Sequence, residues 1–233
     1  LIAVGGGAVK AARQVIELAE KLDAPVINTV NAKGVIPYSH PLAIGGSGSC
    51  PAVRATLSSA DVVLAIGTEF GETDYDYFFE GGVQIAGKLI RIDIDSSQLT
   101  RNIRSDLAIC SDAGQALQAL NQSLDLPTSN GGRGAKRAEK IRNELKATRD
   151  LGYDRFFQTI LSTLPEVIIA GDSTQPVYYA WLHYETEKPR RYFHSASGFG
   201  TLGYAIPAAI GAKLAMPDNP VIGLIGDGAA QFT

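Results

Sequence analysis

The sequence predicts an α/β protein built as two successive parallel-sheet α/β domains. Three observations carry this. Short apolar runs alternate with helical stretches. The runs are apolar at consecutive positions, as in strands covered on both faces. The series also restarts near residue 166, beyond a Pro/Gly/Ser-rich stretch.

The first element is "LIAV" (1–4), a buried-strand pattern running into Gly5-Gly6-Gly7. Val9, Ala12, Ile16 and Ala19 then recur at helical spacing up to Leu22. "PVINTV" (25–30) follows as a second strand, completing a βαβ unit whose crossover is expected to be right-handed. "ADVVLAIG" (60–67) and "KLIRIDID" (88–95) are two more strands, and "DAGQALQALNQSL" (112–124) is a helix with Asp112 as its N-cap. "LPTSNGGRGA" (126–135) reads as a linker. A charged, exposed helix near 136–150 and a second helix, "YDRFFQTILSTL", come next. From 166 the order is the strand "EVIIAGDST", the helix "VYYAWLHY", an edge strand "RYFHS", a buried helix "LGYAIPAAIGAKLA", and the strand and loop "VIGLIGDG".

Composition bounds the function. The chain has 233 residues, 45% of them hydrophobic and 19% charged, enough core material for one large domain or two small ones. A net charge of −3 gives no electrostatic footprint for nucleic acid, and no apolar run reaches a membrane span of ~20 residues. Cys50 and Cys110 form neither a CxxC pair nor a disulfide framework, which fits a reducing cytoplasm. The chain starts at Leu1 and its only methionine is Met216, so it is expected to be a fragment.

Several residues invite a chemical role. Gly5-Gly6-Gly7 resembles a dinucleotide loop, but Lys10 stands where the fingerprint needs Gly or Ala, and "PVINTV" ends without an acid for a ribose. A tight turn packing helix on strand is the expectation, with nucleotide binding at the helix N-terminus as the alternative. The acidic-aromatic stretch "GTEFGETDYDYFFEGG" (67–82) is expected to be a solvated loop with its aromatics folded onto the sheet; the alternative is a cradle for a cationic group. His40, His183 and His194 lack ligand spacing, and His194, next to the second glycine loop, is expected to be a hydrogen-bonded side chain. Ser195 and Ser197 sit in no nucleophile elbow. Asp227, in Gly226-Asp227-Gly228, ends a strand apolar on both faces and is followed by small residues. There it can offer Mg²⁺ a hard oxygen, while Gly228, Ala229 and Ala230 let backbone N–H groups approach phosphate oxygens.

"SGFGTLGYAIPAAIGAKLA" (197–215) together with "GDGAAQFT" (226–233) resembles the diphosphate-binding domain of the thiamine diphosphate enzymes, in the 2-oxo-acid decarboxylase and acetolactate synthase group. "NAKGVIPYSHPLAIG" (31–45) is similar to a stretch of that group's central domain. The resemblance implies a Rossmann-like central domain at 1–125, a linker and connecting helix at 126–150, and the first part of a truncated thiamine diphosphate-binding domain at 151–233.

The resemblance also implies roles. Asp227 would coordinate Mg²⁺. Gly226, Gly228, Ala229 and Ala230 would meet the diphosphate from one side, and Thr174 and Gln175 from the other. The Gly200 carbonyl would accept a hydrogen bond from the 4′-amino group, and Leu202 would wedge beneath the thiazolium. The implied reaction is non-oxidative decarboxylation of a small 2-oxo acid, the C2 ylid adding to the keto carbon before CO₂ leaves. No catalytic side chain is expected within the chain. The family's glutamate lies in a missing N-terminal domain and comes from a neighbouring subunit, so a cytoplasmic homodimer or homotetramer is implied and the fragment is expected to be inactive. The family's second Mg²⁺ ligand, an Asn, lies beyond Thr233. Two departures separate the chain from acetolactate synthases: no Arg stands in "GTEFGETDYDYFF", which argues against FAD, and Pro176 replaces a His common after the diphosphate-contacting Gln. "GDGAAQFT" and the acidic loop resemble decarboxylases of 5-guanidino-2-oxopentanoate. The alternatives are a carboligase of the acetolactate synthase type, told apart by its product, and a nucleotide-binding or structural module, whose stability would not respond to the cofactor.

Overall fold

The computed structural model describes residues 1–79, 81–126 and 132–233. Glu80 of the acidic loop and residues 127–131 of the expected linker lie outside the described residues.

The first half runs β1 (Ile2–Val4), α1 (Ala12–Leu22), β2 (Val26–Asn28), α2 (Pro51–Ser59), β3 (Val62–Ile66), β4 (Lys88–Asp93), β5 (Leu107–Cys110) and α3 (Ala113–Ser123), and α4 (Arg133–Ala147) packs back onto it. The five strands form one parallel sheet in the order β2-β1-β3-β4-β5. Successive side chains of a strand point to opposite faces, and the core divides accordingly. Ile2, Val4, Leu64 and Ile66 meet Val15 and Leu18 of α1 and Leu117 of α3. Ala3, Val63 and Ala65 meet Val53 and Leu57 of α2 and Ala138, Ile141 and Leu145 of α4.

Asp112 caps α3 as the sequence implies, accepting the Gln115 N–H at 3.1 Å. The glycine turn is tighter than expected. A 3-10 helix, Gly6–Ala11, precedes α1. Gly67, at φ +56°, approaches Gly7 so closely that a Cβ there would strike the Gly7 backbone. Here the glycines serve the packing of one loop on the next strand's end.

The second half runs α5 (Leu151–Thr163), β6 (Ile168–Gly171), α6 (Gln175–His183), β7 (Tyr192–His194), α7 (Ala205–Ala215), β8 (Val221–Leu224) and a single helical turn, α8 (Asp227–Ala230). Its sheet is parallel, in the order β7-β6-β8. β7 is an edge strand, as expected. Phe157, Tyr179, Tyr184 and Tyr192 build an aromatic core on one face, into which Val30 reaches from the first half. The halves are also joined by a buried ion pair, Lys33 Nζ to Glu185 Oε1 at 2.9 Å.

Three expectations are corrected. The helix at 202–215 is not buried: in α7 only Ala205 is, and Ile210 and Leu214 are 56% and 79% exposed. It is apolar all round but has one sheet to lie on, so one side packs on β6 and β8 and the other faces outward. The charged helix α4 is amphipathic rather than exposed throughout, because Ala138, Ile141 and Leu145 share one face at helical spacing. In the acidic loop Phe70 and Tyr75 fold onto the sheet, but Phe78 and Phe79 are exposed.

Candidate functional site

In the second sheet Gly171 pairs with His194 on one side and Leu224 on the other, so all three strands end level. Their C-terminal loops, 172–174, 195–204 and 225–226, therefore emerge on one edge, where α/β sheets hold ligands. The residues that the family resemblance assigns to the cofactor, Thr174, Gln175, Gly200, Leu202 and Gly226–Ala230, all lie on these loops or on the helical turns they open.

The loops touch. A Cβ built on Gly226 would sit 3.8 Å from the Ser173 carbonyl oxygen and 3.9 Å from Thr174 Cβ, so the turn before Asp227 lies against the start of α6. Thr233 Oγ1 donates to the Gly203 carbonyl at 2.9 Å, closing the loop after β7 onto the segment after α8. Asp172, which sequence reasoning missed, ties the edge together. It is fully buried. Its Oδ2 accepts the Ala205 N–H at 3.2 Å, its Oδ1 the Ser173 N–H at 2.8 Å, and its own N–H donates to the Leu224 carbonyl at 2.9 Å. The available signal was an acid directly after "VIIAG", where a buried strand ends.

The edge offers few free donors. Both α6 and α8 begin here, but in the first turn of α6 Pro176 has no N–H and the Val177 and Tyr178 N–H groups go to the Thr174 carbonyl at 2.9 and 3.1 Å. Thr174, the N-cap of α6, makes no side-chain capping bond. In α8 the Gly228 N–H is taken by Asp227 Oδ1 at 2.8 Å and the Ala230 N–H by the Gly226 carbonyl at 3.0 Å. Of the three small residues, Ala229 thus keeps its N–H for another acceptor. Gly200 stands at φ +67° with nothing within 4 Å of a built Cβ, and the same holds above Gly228. Leu202, two residues after Gly200 in the chain, is exposed. A free backbone donor, open space over the glycines and one exposed carboxylate, Asp227, are the donor set an anion with a hard divalent cation requires. Among the described residues no three His, Cys, Asp or Glu side chains converge into a metal cage.

His194 is hydrogen-bonded, as expected, and so is His40, whereas His183 Nδ1 is buried without a partner. His40 Nε2 lies 3.2 Å from Glu20 Oε1. His194 Nδ1 accepts the Ala196 N–H at 2.7 Å, which requires the neutral ring to carry its proton on Nε2. Burial, reinforced by Lys33, lowers the His194 pKa to about 4. At the base of the acidic loop the buried Arg91 donates to the Thr68, Arg101 and Ile103 carbonyls and lies over the Phe70 ring.

A parallel α/β sheet whose strand ends present glycine turns, helix starts and one acid defines a diphosphate-type cofactor-binding protein. Comparison with known families makes the class specific. Residues 1–120 match the thiamine pyrophosphate enzyme central domain and residues 172–233 the thiamine pyrophosphate enzyme C-terminal TPP binding domain. The chain belongs to the thiamine pyrophosphate enzyme family.

It is 34% identical over 237 residues to a probable 2-ketoarginine decarboxylase of Pseudomonas aeruginosa, matching 100% of this chain and 42% of that protein. It is 29% identical over 252 residues to the acetolactate synthase isozyme 3 large subunit of Escherichia coli, matching 100% of this chain and 42% of that one. With a probable acetolactate synthase large subunit of Methanocaldococcus jannaschii it shares 32% identity over 248 residues, 98% of this chain and 41% of the relative. The chain thus spans about two fifths of the length of these relatives. Among the described residues no helix is long and apolar enough to cross a membrane.

Proposed function

We propose that the whole protein is a thiamine diphosphate- and Mg²⁺-dependent decarboxylase of a small 2-oxo acid. The observation that carries this is the meeting of the loops after β6, β7 and β8 on one edge, with Asp227 and the start of α6 in contact through Gly226 and Thr174. When bound, thiamine diphosphate supplies a carbon nucleophile and a sink for the electrons left as CO₂ departs. This chain's residues hold and orient it. Asp227 would give one oxygen to Mg²⁺, a hard cation that oxygen donors hold. The Gly226–Ala230 turn, chiefly through the Ala229 N–H, meets the diphosphate on one side. Thr174 and Gln175 meet it on the other, where the α6 dipole favours negative charge. The Gly200 carbonyl orients the aminopyrimidine and Leu202 supports the thiazolium.

Residues 1–125 and 151–233 serve as central and cofactor domains joined by 126–150. The protein works as a homodimer or homotetramer, as the resemblance to the family implies. Pro176 in the first turn of α6 and the absence of Arg from residues 67–79 support decarboxylation without FAD. The P. aeruginosa relative supports a guanidino 2-oxo acid as substrate. The similarity to acetolactate synthases favours a second reading, a carboligase. Incubating the whole protein with thiamine diphosphate, Mg²⁺ and a panel of 2-oxo acids decides between them. Aldehyde and CO₂ are expected; an acetohydroxy acid would establish the carboligase, and no turnover of any oxo acid would refute both.

A further inference from the structure

Between the acidic loop after β3 and the loop after β7 lies a cavity of about 230 Å³. It is below the ~300 Å³ at which pockets for drug-sized ligands begin, and suits a side-chain-sized group rather than a nucleotide. Glu69, Glu72, Asp74, Trp181, His194 and Phe199 line it. Arg101 is the one fixed cation in its wall, and Arg101 is already spread across Glu69 at 2.8 Å and Glu72 at 3.2 Å. That leaves Asp74 without a cation of its own. One Asp74 oxygen accepts the Val30 N–H at 3.1 Å. Lys33, the nearest positive charge acting on it, is bonded to Glu185 and the Tyr184 carbonyl. Burial raises the Asp74 pKa accordingly.

A second, independent feature marks the cavity as a ligand site. His194 is only 2% exposed, and its protonated Nε2 has no partner. The Trp181 indole N–H acts on Asp74 from the same wall. Buried donors without acceptors, such as His194 Nε2, are rare in folded proteins. The wall thus offers a carboxylate lacking a cation, two aromatic side chains and one buried N–H donor lacking an acceptor. Phe199, fully exposed at the rim, precedes Gly200, so the cavity opens one residue, ~3.8 Å of chain, from the proposed cofactor contact.

We propose that this cavity is a substrate subsite that holds a guanidinium tail, with Asp74 pairing the charge, Trp181 and Phe199 stacking on its plane, and His194 donating to an oxygen of the same ligand. A planar guanidinium matches both carboxylates and aromatic faces, and Arg101 shows the same carboxylate pairing within the wall. The proposal rests on the function proposed above, because it places the tail of the oxo acid whose head reaches the cofactor.

Trp181 is the only tryptophan, so its fluorescence and indole N–H resonance report this cavity. The whole protein is titrated with 4-guanidinobutanoate and with its uncharged isostere 4-ureidobutanoate. The guanidino compound should bind saturably and at least about tenfold more tightly, a difference worth ~1.4 kcal/mol. Asp74→Asn keeps an oxygen for the Val30 N–H and should erase that preference. Phe199→Ala should weaken guanidino binding about threefold. Equal binding of the two compounds, no saturation, or affinities unchanged in both variants overturns the subsite. A parallel titration with thiamine diphosphate and Mg²⁺ separates the two claims. Cofactor binding without guanidino preference refutes the subsite alone. Guanidino preference without cofactor binding upholds the subsite and refutes the cofactor reading.

Discussion

The carboxylate of Asp172, at the end of β6, accepts the backbone N–H of Ala205, the first residue of α7, at 3.2 Å. This buried bond fixes where the helix starts, and with it the Gly200–Tyr204 turn that precedes it. Asp172→Ala leaves the Ala205 and Ser173 N–H groups without this acceptor and is expected to cost about 1–3 kcal/mol for each such buried group. Asp172→Asn, which keeps one acceptor oxygen, should cost less. Urea denaturation checks both, and a destabilisation by Ala no larger than that by Asn would contradict this account.

Lys33 and Glu185 form an ion pair with side chains only 2% and 5% exposed. Glu185 also accepts the Gly46 N–H at 2.8 Å. Removing one partner of a buried pair strands the other, so Lys33→Met is expected to destabilise by roughly 3–5 kcal/mol. The double variant Lys33→Met/Glu185→Leu should recover more than half of that. A double variant less stable than Lys33→Met would show that the pair is not coupled in this way.

His183 and His194 both have pKa values lowered to about 4. Burial is the main cause in each, helped by Arg149 and Lys33 at His183 and by Lys33 at His194. The folded state keeps these rings neutral, whereas the unfolded chain protonates them near pH 6.5. Between pH 6.5 and 4 the unfolded state binds more protons, so their contribution is complete above pH 6.5 and is lost as pH falls. Between pH 7 and 5 the buried His194 ring accounts for on the order of 2 kcal/mol, and the part-exposed His183 ring for less, because solvent screens it. His183→Gln should flatten the fall in urea midpoint over that interval. Asp74 acts in the opposite direction but is common to both proteins, so the comparison isolates His183. Parallel profiles would reject the assignment.

Asp227 is proposed as the metal carboxylate. Thiamine diphosphate at 100 times its dissociation constant should stabilise the whole protein by about 2.7 kcal/mol, and withholding Mg²⁺ should remove most of that gain. Asp227→Ala should remove the Mg²⁺-dependent part while leaving the cofactor-free melting temperature nearly unchanged, because the side chain is exposed. A variant that still responds to Mg²⁺ would place the metal elsewhere.

Most of the fold was legible because its signals are local. Consecutive apolar residues in "LIAV" and "VVLAI" mark strands covered on both faces, and Asp112 announces the start of α3. β5 went unseen: it is an edge strand whose "LAIC" is largely exposed, so burial leaves little trace in its composition. The outward side of α7 was misjudged because apolar residues all round a helix do not say how many layers cover it. Asp227 stood out in a glycine turn at a strand's end, whereas Thr174 and Gly200 were named only through the family resemblance. Asp172 was not, because its role is set by the start of a helix 33 positions away.

By itself the sequence determined the alternation of strands and helices, the two-part organisation and the turns that open the site, since each depends on residues close together in the chain. The tertiary structure decided what those turns face. The parallel order β7-β6-β8 sets three loops on one edge, and the packing of the two halves encloses Asp74, Trp181 and His194 around one cavity. Such neighbours share no sequence spacing. What brings them together is the burial of apolar faces on both sheets, which favours contacts between residues whatever their separation along the chain.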